Sequence, residues 1–212
     1  MILFAPAYDD ATDATCRLAE RFADEATVVL LRHNATRTNL LDAVSAGEGD
    51  DGVLAFSHGT EGTLAAQDSA VALDAHDASL LEGRRVLAYA CHTSTGLGEV
   101  MARGGVVWWG YTGTILAPPE GSGREQIFGP VFDYLVGSFL SGVDRSGLRE
   151  VFTKLRALCH HAEKALYVLF DSGVAGLEDF GCLLHIWNRL RVWLPGSDAP
   201  EHHPESTPIF VR

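Results

Sequence analysis

Two stretches decide the fold: VLAFSHG, Val53 to Gly59, and VLAYAC, Val86 to Cys91. Each is an unbroken apolar run of four or five residues, the length of a strand buried on both faces. Each stops at a reactive side chain, His58 in the first and Cys91 in the second. In an open parallel sheet, functional groups gather beyond the carboxyl ends of the strands. Two adjacent strands ending there bring imidazole and thiol together, the minimum equipment for a thiolate nucleophile.

The flanking chain repeats the pattern. Ile2–Ala5 and Val28–Leu31 read as strands, and after Cys91 Val106–Trp109 starts a fifth strand that ends near Gly110–Tyr111–Thr112–Gly113. Between the first two, Leu18, Phe22 and Ala26, with Ala19 and Ala23 beside them, mark the buried stripe of a helix, with Cys16 as a small core residue and Asp9, Asp10, Thr12 and Asp13 as capping types. Thr36 caps a helix carrying Leu40, Leu41 and Val44. The alternation of strand and helix predicts an α/β fold, with a mostly parallel central sheet flanked by helices. The link from Gly59 to Val86 breaks the alternation: Thr63–Ala66 and Val71–Leu73 read as a small hairpin about Gln67–Asp68–Ser69.

Beyond the fifth strand, Ala117–Gly123 (APPEGSG) is a loop. An amphipathic helix follows through Ile127, Phe128, Val131, Phe132, Leu135, Val136 and Phe139, and another runs from about Ser146 to Leu166. Leu183–Trp193 fits strand or helix, and the Pro195–Gly196 pair after it favours strand. The expectation is one domain over residues 1–196 and an irregular tail over 197–212.

Composition narrows the partners. The chain of 212 residues carries a formal net charge of −12, which repels nucleic acid and anionic membranes. The four cysteines, Cys16, Cys91, Cys159 and Cys182, are widely spaced and include no CxxC pair. Reduced thiols in a cytoplasm are therefore expected. The N-terminal MILFAPAYDD lacks the basic start of a signal peptide, and no apolar run approaches the ~18–20 residues of a membrane span. Cys159, His160 and His161 diverge by about 100° per residue on a helix and bind one zinc ion only with help from elsewhere, such as His202 and His203. Neither metal nor cofactor is expected.

The chemistry at His58 and Cys91 follows from the residue types. A thiol with pKa ~8.5 needs a base to ionise it at neutral pH, and the same imidazole then protonates a leaving amine. The amide N–H groups of Gly59 and Cys91 suit an oxyanion hole, Gly59 because it lacks a Cβ. Tyr89 shares the strand face of Cys91. It is either the floor of a pocket or plain core.

This order of blocks, FSHG and then YACHTSTGLGEVMARGGVVWWGY, resembles the caspase–separase–gingipain group of cysteine proteases, and is most similar to its CHAT-domain branch. The resemblance spans roughly residues 1–140 and implies a caspase-like fold. It implies His58 as catalytic base and acid, Cys91 as nucleophile, and Gly59 with Cys91 as the oxyanion hole. Tyr89 stands where caspases carry an S1 glutamine, which argues against cleavage after Asp. Asp9 and Asp10 border the S1 pocket and suit Arg or Lys at P1, helix capping being the other reading. Trp109 and Tyr111 would wall neighbouring subsites, and His92 has no assigned role. The implied activity is a cysteine endopeptidase of a bacterial antiviral defence or conflict system. It would cut a protein substrate encoded by a neighbouring gene, switched on by an upstream activator or by self-cleavage near Arg124. The alternative is a caspase-like interaction module without turnover.

Overall fold

The computed structural model describes residues 1–47, 52–118 and 123–207. Most of the APPEGSG loop and the end of the tail lie outside the described residues. The chain divides into two compact units, Met1–Thr114 with Arg191–Glu201, and Ile115–Leu190 with His202–Arg212.

The first unit is built on β1 (Ile2–Ala5), β2 (Val28–Leu31), β3 (Val53–Phe56), β6 (Arg85–Tyr89) and β7 (Val107–Tyr111), with β8 (Leu190–Trp193) closing one edge. The sheet order is β2-β1-β3-β6-β7-β8, and all pairings from β2 to β7 are parallel. Every residue of β1 and β3 is buried, which is why these strands read as continuous apolar runs. Helices α2 (Arg37–Ser45) and α3 (Leu97–Arg103), with the hairpin β4 (Thr63–Ala65) and β5 (Val71–Asp74), share one hydrophobic cluster with Ile2, Phe4, Ala55 and Ala88. Helix α1 (Asp10–Glu20) packs on β1 and β3. Just past its end Phe22 stacks on Phe56, which meets Tyr89, which meets Tyr111, an aromatic row crossing three strands.

The second unit is helical. Helix α5 (Arg145–Asp171) packs against both α4 (Arg124–Leu140) and α6 (Leu177–Asn188). Pro130 lies inside α4, where it costs one backbone bond without ending the helix. Phe128, Val131, Phe132 and Leu135 are buried around it. No helix among the described residues is long and apolar enough to cross a membrane.

Several expectations need correction. Leu183–Trp193 is not one strand: α6 runs to Asn188, and only Leu190–Trp193 is extended. The buried positions Asp179, Cys182, Leu183 and Ile186 carry a helical period that starts upstream of Leu183. Helix α1 stops at Glu20, so Phe22, buried as expected, lies beyond it with the half-buried Ala23 and Ala26; within the helix the buried positions are Thr12, Thr15, Cys16 and the expected Ala19, while Leu18 is half-buried. Strand β7, by contrast, ends at Tyr111, inside the expected Gly110–Gly113 stretch. Gly110 is needed there, since a Cβ would stand 2.6 Å from the Trp108 indole nitrogen and 2.7 Å from the Thr93 hydroxyl. As far as residue 207 the tail is mostly irregular but doubles back on β8, with Val192 and Glu201 exchanging backbone hydrogen bonds of 2.9 and 2.8 Å.

The aromatic row carries a large share of the core between α1 and the sheet. Phe56→Ala should lower unfolding free energy by about 3–5 kcal/mol in chemical denaturation. A loss below about 1 kcal/mol would show that the row is dispensable.

Candidate functional site

The strand order reverses between β1 and β3: the chain steps outward from β1 to β2, then returns across β1 to continue through β3, β6 and β7. Such a reversal opens a crevice at the carboxyl ends of the two central strands. Tyr8 and Asp9 follow β1 at this point, and Ser57, His58 and Gly59 follow β3. Cys91 follows the next strand, β6.

The β3–β6 register pairs Phe56 with Tyr89. The ladder continues one bond further, from the Ser57 N–H to the Tyr89 carbonyl at 3.3 Å. His58 and Cys91 each lie two residues beyond the last pair, so the register brings them level on neighbouring chains. Cys91 is half-buried and in no disulfide, whereas Cys16, Cys159 and Cys182 are buried. Burial pushes the thiols of Cys16 and Cys159 up, which makes them poor nucleophiles.

The imidazole of His58 is held by Asp9. His58 Nε2 lies 2.8 Å from Asp9 Oδ2, and both side chains are 44% exposed. The Tyr8 ring stands 5.9 Å from that of His58. Asp9 is also the N-cap of α1: its Oδ1 accepts from the Thr12 N–H and hydroxyl, both at 2.8 Å. Burial alone would raise the Asp9 carboxyl, but the bonds from Thr12 and His58 outweigh it and hold the group below the usual range. With Nε2 committed to a carboxylate, a neutral His58 carries its proton there and keeps Nδ1 as the basic nitrogen.

The hairpin fixes the backbone on either side of His58. The His58 carbonyl accepts from Ala65 N–H at 3.0 Å, the Thr60 N–H donates to Thr63 at 2.9 Å, and the Ser57 hydroxyl donates to the Ala65 carbonyl at 2.7 Å. Gly59 sits opposite Leu64 between these bonds, so its own N–H is outside the ladder and points away from β4. A Cβ on Gly59 would come within 2.5 Å of Thr93 Cγ2 and 2.6 Å of the Cys91 carbonyl oxygen. The absence of a side chain is what lets the His–Gly segment lie against the Cys91 backbone.

The turn after Cys91 is clamped from two sides. His92, at φ 60°, and Ser94 donate backbone N–H groups to the Gly113 and Tyr111 carbonyls at 3.2 and 3.1 Å. Leu97, at the start of α3, donates to the Glu61 carbonyl in the hairpin turn. Thr93 and Ser94 are fully buried, and the Trp193 indole N–H donates to the Ser94 carbonyl at 3.0 Å.

The remaining expected site residues divide. Tyr89, Trp109 and Tyr111 are 1%, 2% and 0% exposed, so they are core and wall no groove. The reason is the length of β7 and the aromatic row, which place all three inside the sheet. Asp9 has both oxygens engaged, and Asp10, exposed in the first turn of α1, is the adjacent carboxylate open to solvent. Arg124 pairs through Nε and Nη2 with the buried Asp179 at 2.7 and 3.1 Å and donates to the Val174 carbonyl. A guanidinium held in this way must leave its partner before a protease could take it as P1. Cys159 and His160 face apart, one buried and the other exposed beside Glu163 at 3.1 Å. No group of three His, Cys, Asp or Glu side chains suited to a metal ion occurs among the described residues. The partnership of Asp9 with His58 is not visible in the sequence. Its only trace there is an Asp at a helix N-cap directly after the first strand.

Asp9→Ala should cost about 0.5–2 kcal/mol through the lost cap, and Asp9→Asn less, since asparagine caps equally well. The carboxylate's share is complete above its unfolded pKa of ~4 and disappears as pH falls through its depressed folded value. Denaturation at pH 7 and again near pH 3 should therefore show the gap between wild type and Asp9→Asn closing in acid. Gly59→Ala should destabilise by about 1–3 kcal/mol, because the added methyl would meet the buried Thr93 methyl and the Cys91 carbonyl oxygen.

Comparisons of the chain with protein-family models, with curated proteins and with solved structures find no match.

Proposed function

We propose that this chain is a cysteine endopeptidase of the caspase-like, CHAT-domain kind, acting through a Cys91–His58 dyad steadied by Asp9. The observation that carries the reading is the level placement of His58 and Cys91 beyond paired strands, with the Asp9 carboxylate on Nε2 of the imidazole. The proton of the Cys91 thiol passes to His58 Nδ1, and the thiolate attacks the substrate carbonyl carbon. The N–H groups of Gly59 and Cys91 stabilise the oxyanion. Collapse breaks the C–N bond, and His58 returns its proton to the departing amine. Water, deprotonated by His58, then hydrolyses the thioester and releases the acid. Asp9 stabilises the imidazolium formed in each half-reaction.

Asp10 favours a basic P1 side chain, as does the net charge of −12. The substrate is then a protein partner, within a bacterial defence or conflict system, encoded beside this chain. One observation favours the alternative of a non-catalytic interaction module: the three aromatic residues expected to line a groove are closed into the core.

An arginyl or lysyl electrophilic peptide should label wild type at Cys91 and leave Cys91→Ala unlabelled. His58→Ala should lower the labelling rate by about 10²–10⁴-fold, Asp9→Asn by a smaller factor, and Asp10→Lys should weaken the preference for basic peptides. Intact, folded protein that resists both this probe and a broad peptide library would favour the module instead.

A further inference from the structure

The outer face of α5 and α6 exposes an apolar patch. Leu177 is 78% exposed, Val168 71% and Tyr167 60%, with Phe170, Val174 and Leu184 each near 42%. Phe180 joins the two helices, its ring 5.0 Å from Tyr167 and 5.8 Å from Phe170. Leu177, Phe180 and Leu184 follow one stripe of α6, and Tyr167 and Phe170 one stripe of α5, so the patch is continuous. Its exposed surface is on the order of 600 Å², at the top of the ~300–600 Å² usual for a monomer's largest patch and close to the ~800 Å² each partner gives a standard interface.

The charges beside it select the occupant. Lys164, Val168 and Asp171 share a stripe at i, i+4 and i+7, and all three are exposed. Lys164 and Asp171 make no ion pair among the described residues, in contrast to their neighbour Glu163, which holds His160. A two-fold axis passing between Tyr167 and Val168 sets α5 antiparallel to its counterpart. Residue Tyr167 then faces Val168 of the other copy, and Lys164 faces Asp171, twice over. The stripe is thus complementary to itself, as an isologous contact requires.

We propose that this face is a homodimer interface, with α5 of two copies crossing antiparallel at Tyr167 and Val168. The inference is independent of the protease reading.

Sedimentation velocity of the full chain, from micromolar to submillimolar concentration, tests it. Wild type should dimerise. Lys164→Asp and Asp171→Lys should each raise the dimer dissociation constant about tenfold by setting like charges together. The double variant K164D/D171K should return to within about twofold of wild type, because reversal restores the pairing. Val168→Asp should be monomeric with unchanged thermal unfolding, and the two charge variants, both at surface positions, keep the test open if it fails to fold. A chain that stays monomeric throughout, including one that floats with lipid vesicles as a monomer, overturns the proposal. So does a dimer indifferent to the single reversals, or one that the double variant does not restore.

Discussion

The parallel register of β3 against β6 is the constraint on which the site depends. Phe56 beside Tyr89 fixes the sliding position of two strands, and a slip of one residue would turn every side chain of a strand to the opposite face. The aromatic row from Phe22 to Tyr111 holds that register from one face, where a shift of β3 or of β6 would disturb two ring contacts at once. The loop beyond each strand inherits the alignment. His58 and Cys91 are level along their strands because the hydrophobic residues behind them are level.

The hairpin between the two strands completes the frame. It interrupts a strand-and-helix alternation and is small, yet its bonds reach both halves of the site. Ala65 holds the His58 carbonyl, and Glu61 receives the N–H of Leu97 just after the Cys91 turn. Loops at the ends of parallel strands are ordinarily the mobile part of such sheets. Here the two that carry His58 and Cys91 are tied to a common brace.

Much of this is legible in the residues. Strands buried on both faces must be apolar throughout, so β1, β3 and β6 stand out, and the turn at Gln67–Asp68–Ser69, where Asp68 and Ser69 adopt positive φ, marks the hairpin. The elements that mislead share a cause: their punctuation has a meaning set outside the local window. Phe22 reads as the next turn of α1, yet the helix stops at Glu20 and Phe22 meets Phe56 of the sheet from beyond its end. Leu183 looks like the start of an element, but the helical period it belongs to begins at Leu177. The His58–Asp9 pair is out of reach for a different reason. Forty-nine residues separate its members, and only the sheet order, with β1 beside β3, brings them together.

The double duty of Asp9 restricts what can stand at that position. Capping the helix calls for a short side chain with an acceptor, which Ser, Thr, Asn and Asp all provide. Steadying an imidazolium calls for a negative charge, which Asp and Glu provide. Two common requirements, each met by several residue types, intersect at aspartate alone. A change here forfeits either the helix cap or the contact with His58, so under the proposed dyad this carboxylate should resist drift as stubbornly as the histidine beside it.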